Sequence, residues 1–185
     1  MAKHIGPKKK YLRRFGLLPG KSRQEKLRAK SEYGKRLEEK QKLKFIYGVT
    51  EKQFLRHVRN AQKSRGNYGE LVLQQLEARL DNVVYRLGYA KTREQARQIV
   101  SHEHVLVDDK KVTIPSYQVS AGQKIAIKEK MFQNPLIQDA MKEKKIGDLP
   151  GWLERKESSA IIRHFPQSDD LPKDINMSLI LEFYR

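Results

Sequence analysis

Charge is distributed so unevenly along this chain that it limits what the first third can become. Residues 1–66 hold 21 Lys or Arg against five Asp or Glu, a net of +16, whereas residues 67–185 hold 18 against 17. So many like charges repel one another unless something neutralises them. Basic N-terminal arms usually track phosphates, because each Lys or Arg beside a phosphate releases condensed counterions. The expected partner is therefore a polyanion, either nucleic acid or an anionic membrane. The arm is not of low complexity, since Tyr11, Phe15, Tyr33, Phe45, Tyr47 and Phe54 are interleaved with the charges. Such rings stack on unpaired bases or form the core of small helices. Phe45, Ile46, Phe54 and Leu55 read as core.

Several classes drop out at once. With 185 residues the chain makes one domain or two small ones. No stretch approaches the roughly 18 apolar residues of a spanning helix. Met1 to Pro7 is not followed by an apolar run, so no secretory signal is expected. There is no cysteine, which removes a disulfide scaffold, a thiolate zinc site and a Cys nucleophile, and a reducing compartment is compatible with that.

The order of elements follows from caps and periodicity. Residues 1–22, with Gly6, Pro7, Gly16, Pro19 and Gly20, read as an irregular extension, and the free arm over 1–30 is expected to order only on a polyanion. Residues 35–47 are dense in helix formers and stop at Gly48. Thr50 and Gln53 form a capping box that opens a helix to about Ser64. Residues 68–79 and 80–87 follow as helices, the second ending at Gly88. Val105–Val107 and Val112–Ile114 predict a hairpin around Asp108 and Asp109, with Tyr117–Val119 as a continuation after Pro115. Lys124–Lys128 alternates as a strand. Residues 134–145 predict a helix, Trp152–Glu154 and Ala160–Arg163 short strands, and Ser178–Tyr184 a C-terminal strand.

Residues 91–107 are the most informative. Thr92 is placed to cap a helix, with Gln95 three residues on. That helix sets Ala96, Ile99 and Val100 on one side, while Arg93, Arg97 and Ser101 form a flanking stripe. Guanidinium forks match phosphate oxygens bidentately, and the helix N-terminus favours anions. An ordinary surface helix with paired charges reads the same way.

At these residues the sequence resembles a known family. Ala78 to Gly88, then Thr92-Arg93, Ala96 to His102 and Val105 to Val107, resemble the RNA-binding domain of the ribosomal protein S-four family. Gly6-Pro7, Arg36 to Leu43, Tyr47 to Gln53, Ile114 to Tyr117 and Leu181 to Tyr184 are similar to the same family, collinearly over nearly the whole chain, in its bacterial or plastid type. The resemblance implies an α+β fold. A mostly helical N-terminal subdomain would stand beside a small module of two helices packed on a short β-sheet, after a basic extension. The expected boundaries are 1–34 for the extension, 35–78 completed by 142–185 for the helical subdomain, and 79–141 for the RNA-binding module.

It further implies a structural component of the small ribosomal subunit that binds 16S-type rRNA directly and nucleates assembly of the subunit body. Other small-subunit proteins would be its neighbours, with S-five contributing to translational accuracy and mRNA near the entry side. The location would be the cytoplasmic ribosome, or the plastid stroma for a plastid source. The RNA-facing residues it implies are Lys8, Lys9, Arg13, Arg14, Tyr33, Arg36, Lys40 and Lys42 on the arm and first helix. On the module they are Arg79, Lys91, Thr92, Arg93, Arg97, Gln98, Ser101 and His102. The chain departs from the family in three ways. The basic loop at 21–32 is short and lacks a Pro-Gly-Gln-His-Gly turn; no N-terminal cysteines exist to hold zinc, so no cofactor is expected; and Asp108-Asp109 stands where the hairpin turn often reads Asn-Gly, which predicts a different or longer turn.

Three other readings compete. Arg79-Leu80-Asp81 resembles the catalytic tripeptide of pseudouridine synthases, RNA-modifying enzymes that carry the same module. Here the tripeptide lies inside the module and continues into a helix, so Asp81 is expected to make core hydrogen bonds and no catalytic residue is assigned. His102 and His104 are two apart without a third near ligand, which falls short of a zinc site. Leu37, Leu43, Phe45 and Ile46 give residues 35–47 a modest apolar face that suits a membrane surface or, preferably, a helical core.

Overall fold

The computed structural model describes residues 8–18, 31–144 and 146–184. The described residues fall into two compact units, one drawn from 1–69 and 172–185, the other from 70–171. Together they make an α+β protein.

The first unit is helical. It contains α1 (Lys8–Arg14), α2 (Glu32–Tyr47), α3 (Glu51–Gln62) and, after the second unit has been traversed, α9 (Met177–Glu182). Ser31 caps α2 by accepting from the Gly34 amide, and the helix stops where Gly48 takes φ 60°, a left-handed conformation that costs glycine little. Two residues later the predicted capping box forms. The Gln53 amide donates to Thr50 Oγ1 at 3.3 Å, and the Thr50 amide donates to Gln53 Oε1 at 3.1 Å. The core comprises Leu43, Tyr47, Val49, Phe54, Val58, Ala61 and Ile180. Tyr11 stacks on Phe45 and Phe15 packs beside it, and Leu43 of the same helix is buried, so this part of the apolar face of α2 is used within the unit.

Glu51 ties this unit together. It accepts from Lys44 Nζ at 2.7 Å, Lys40 Nζ at 3.2 Å and the Tyr184 hydroxyl. Lys40 is itself buried, its ammonium 3.6 Å from the centre of the Phe183 ring. The C-terminal segment is therefore held through a cation, a carboxylate and two aromatic rings.

The second unit is a five-stranded antiparallel sheet with helices on one face. After α4 (Tyr68–Glu77), α5 (Leu80–Arg86) and α6 (Arg93–Ser101) come β1 (Val105–Val107), β2 (Lys110–Lys111) and β3 (Lys124–Ile127). Then follow α7 (Glu129–Phe132), α8 (Pro135–Glu143), β4 (Leu153–Lys156) and β5 (Ser159–Ile162), in sheet order β2-β1-β3-β5-β4. Alternation buries Val105, Val107, Ile125, Ile127, Ala160 and Ile162 against Val83, Val84, Ala96, Ile99 and Val100. Gly88, at φ 79°, ends α5 where a Cβ would stand 2.8 Å from an Arg155 nitrogen and 3.0 Å from Lys144 Cβ.

Five expectations change. The C-terminal 178–184 segment is helical, because Asn176 caps α9 through the Leu179 amide and Ile180 alone among its neighbours is fully buried. Residues 8–14 of the extension form a helix because Phe45 gives Tyr11 and the following Phe15 a surface; the expected disorder over 1–7 and 19–30, like most of the shortened loop at 21–32, lies outside the described residues. The turn at Asp108-Asp109 is not lengthened. Both residues adopt left-handed φ, 49° and 62°, and Val107 pairs directly with Lys110. The Lys124 amide donating to Asp108 Oδ1 compensates for that strain.

The return strand stops at Lys111, and residues 115–119 bend away. Their carbonyls are needed elsewhere: the Leu80 amide donates to Tyr117 O and the Asp81 amide to Pro115 O, which caps α5 without a side chain. Finally, β4 and β5 join the sheet through β3, so of the expected 142–185 segment only 172–185 lies with the helical unit.

The Glu51 cluster predicts an acid limb. Burial pushes its carboxyl up, but hydrogen bonds from Lys44, Tyr184 and Lys40 outweigh that and hold it down at about 2. The folded state thus binds its proton more weakly than the unfolded chain. The cluster's contribution is complete above about pH 4.5 and is lost as pH falls toward 2. Thermal melts of Glu51→Gln should show about 0.5–1 kcal/mol less stability at pH 7, with a flatter loss between pH 4.5 and 2. An acid limb identical to that of the wild type would exclude this role.

Candidate nucleic-acid interface

The helix expected to face RNA forms as predicted. Thr92 Oγ1 accepts from the Gln95 amide at 3.2 Å, and the Gln95 side chain reaches back to accept from the Lys91 amide at 2.8 Å. The side opposite the core exposes Lys91, Thr92, Glu94, Gln98, Ser101 and His102.

The guanidinium stripe, however, is turned inward. Arg97 donates through Nε and Nη2 to Asp81 Oδ2 at 3.1 and 2.9 Å. Asp81, 4% exposed, also accepts from Arg79 Nε and Nη2 and from the Asn82 amide. Arg93 donates to Asn82 Oδ1 at 2.7 Å and lies 4.5 Å over the Tyr85 ring. Asn82 in turn donates to Glu77 Oε2, and Glu77, wholly buried, accepts both Nε and Nη2 of Arg86. One network therefore joins four guanidiniums to two carboxylates. The excess positive charge reaches Lys144, whose amine is lowered to about 8 by burial and then by Arg86, Arg93 and Arg155.

These contacts re-sort the expected residues. Arg79 is 2% exposed and wholly engaged with Asp81, so it is not available to a ligand. Lys40 is buried under Phe183, and Lys42 donates to the Asp174 carbonyl and pairs with Glu39, so their charges are committed within the fold. Arg36 pairs with Glu182 at 3.0 Å, and Lys91 pairs with the exposed Glu143. Lys9, Arg13 and Arg14 are exposed on α1, which Lys8 opens. Tyr33 is 62% exposed, its ring 5.5 Å from Phe183. Gln98, Ser101 and His102 are exposed, whereas Arg93 and Arg97 are half-buried anchors. Glu77 was missed by sequence reasoning; the signal was an acid four positions before Asp81, with Arg86 nine positions on. Lys110 and Lys111 are both exposed on β2.

The rival sites fare differently. Asp81 is enclosed by two guanidiniums and an amide, without an open face for a substrate. The His102 and His104 rings stand 6.3 Å apart, and among the described residues no three His, Asp or Glu side chains gather as metal ligands.

Comparison with known proteins gives consistent matches along the chain. Residues 78–125 match the S4 domain, and residues 3–77 match the ribosomal protein S4/S9 N-terminal domain. The small ribosomal subunit protein uS4 of Persephonella marina is 42% identical over 206 residues, covering 100% of this chain and 99% of that protein. The Porphyromonas gingivalis protein of the same name is 44% identical over 200 residues, with the same coverage. That of Onion yellows phytoplasma is 46% identical over 175 residues, covering 95% of this chain and 87% of its own length.

The network predicts that loss of the Asp81 charge acts on the fold. Asp81→Asn keeps the shape but leaves the guanidiniums of Arg79 and Arg97 without their anion, which should cost about 3–5 kcal/mol in urea denaturation. Gln98→Ala, on the exposed face, should stay within about 0.5 kcal/mol of the wild type. Equal stabilities for the two variants would contradict the network.

Proposed function

The chain belongs to the small ribosomal subunit protein uS4 family, and we propose from this that it is a structural constituent of the small ribosomal subunit that binds its rRNA directly. The observation that carries this reading is the net charge of +16 over residues 1–66, in a chain matched from residue 3 to residue 125 by the family's two domains. Its work is recognition of a folded polyanion without bond chemistry. The enclosure of Asp81 supports that over an RNA-modifying enzyme.

In this reading α6 is a shaped platform. Lys91, Thr92, Gln98, Ser101 and His102 supply a cation, hydroxyls, an amide and an imidazole toward phosphates, 2′-hydroxyls or base edges. Arg93 and Arg97 are positioning residues, because they hold α6 against α5 through Asn82 and Asp81. In the helical unit Lys9, Arg13, Arg14 and Tyr33 are the arm's contact residues, with Arg36 at their edge. Direct binding of this kind suits a protein that joins early and nucleates the subunit body. The neighbours would be other small-subunit proteins, S-five among them in support of translational accuracy, with mRNA near the entry side. The site of action is the ribosome of the cytoplasm, or of the plastid stroma for a plastid source.

Because phosphate contacts dominate such binding, the association constant of the full chain for a 16S-type rRNA transcript should fall linearly with salt on logarithmic axes. The slope should approach −0.7 to −0.9 per phosphate neutralised. A triple change of Gln98, Ser101 and His102 to Ala should weaken binding roughly tenfold or more at fixed salt and leave the melting temperature in place. Filter binding from 50 to 300 mM salt checks both, and a salt-insensitive complex would overturn the reading.

A further inference from the structure

Helix α3 carries a straight row of exposed cations. Lys52, Arg56, Arg59 and Lys63 follow one another at intervals of four, three and four residues. At 100° per residue they lie within an arc of about 60°, and at 1.5 Å per residue they extend over about 16 Å. Lys63 keeps helical backbone angles, φ −80° and ψ −16°, so the row runs unbroken to the cap. The opposite face is fixed in the core: Phe54, Val58 and Ala61 are 0%, 1% and 0% exposed. Four cations are thus held outward by packing that none of them takes part in.

Among the described residues they also lack an internal counter-charge. Glu51 is the acid of this helix, and Lys40, Lys44 and Tyr184 engage it. Among the described residues, no carboxylate pairs with Lys52, Arg56, Arg59 or Lys63, in contrast to Lys35 beside Glu32, Lys142 beside Asp139, and Lys156 and Arg163, which share Glu154. The row's flanks, Gln53, Asn60 and Gln62, are exposed and polar, and α3 has no large exposed apolar side chain. A helix that lies on a membrane needs such an apolar band. Base stacking needs rings, and none is exposed here. What remains is a line of positive charge at a spacing of about 4.5–6 Å, which suits successive phosphates of one strand.

We propose that the α3 row is a phosphate track that receives the sugar–phosphate backbone of the rRNA, in addition to the arm residues and the α6 platform. It rests on the rRNA-binding reading above and adds α3 to the contact residues of the helical unit already named on the arm, with α2's Lys40 and Lys42 serving the fold. Contact is by charge alone, so it fixes position along the RNA and carries little sequence discrimination.

The test uses the full-length chain and a 16S-type rRNA transcript. Lys52, Arg56, Arg59 and Lys63 are changed together to Gln. A charge-matched control changes Lys35, Lys142, Lys156 and Arg163 to Gln. The row variant should bind about 100-fold more weakly at 0.15 M salt, with a salt slope shallower by about 3, while its melting temperature stays near that of the wild type. The control should change several-fold at most. Arg56→Lys with Arg59→Lys should retain near-wild-type affinity, since a point charge suffices for a phosphate. Wild-type affinity and slope in the row variant would overturn the track while leaving rRNA binding intact. Equal losses in row and control would overturn it as well, since net charge alone would then account for them. Loss of binding to anionic phosphatidylglycerol vesicles with rRNA affinity unchanged would transfer the row to a lipid surface. A wild-type chain that fails to bind the transcript would remove the underlying reading together with the track.

Discussion

The RNA-binding module depends on the neutralisation of its own arginines. Two buried carboxylates, Glu77 and Asp81, stand between four guanidiniums that would otherwise repel one another at the α5–α6 junction. A buried ion pair is costly to desolvate, and it holds only when nearly every oxygen and N–H is matched. Here bidentate geometry matches them. Asp81 takes both nitrogens from each of Arg79 and Arg97, and Asn82 joins the two carboxylate clusters by donating to one and accepting from Arg93. The network ties α6 to α5 through Arg97–Asp81 and Arg93–Asn82, while a buried ion network of this kind adds little net stability over apolar packing.

The same logic divides the cations of the helical unit. Lys40 and Lys44 converge on Glu51, Lys42 on Glu39 and the Asp174 carbonyl, and Arg36 on Glu182. Helix α2 therefore uses its positive charge to hold the C-terminal segment in place. Helix α3 gives its one carboxylate to that task and keeps its cations outside. A strongly basic chain thus folds by assigning part of its excess charge to internal partners, and it presents the remainder on surfaces defined by apolar packing on their far side.

The caps were the most legible part of the fold. Thr50-x-x-Gln53, Thr92 before α6 and Gly48 after α2 all appear where short-range hydrogen bonding and φ preferences put them, because such features depend on three or four neighbouring residues. Features set by distant partners were misjudged. Ser178–Tyr184 alternates like a strand, yet Asn176 and the pocket for Ile180 make it a helix. Two aspartates at positive φ are unfavourable locally, yet a distant amide at Lys124 makes the two-residue turn workable. The row at 52, 56, 59 and 63 was open to view as a spacing, but it was obscured by the overall density of charge in the first 66 residues.

By itself the sequence pointed to a polyanionic partner and gave the helices from α2 to α6 and strands β1 and β3 in order, since net charge, periodicity and caps are local or additive quantities. Only the tertiary structure decided which cations face outward. Arg79, Arg97 and Lys40 carry the same kinds of cation as the exposed Lys9, Arg13 and Arg14, yet Arg79 and Lys40 are buried and Arg97 is half-buried. What withdraws them is a carboxylate or a ring brought close by folding, and Coulomb attraction depends on that distance in space, not on separation along the chain.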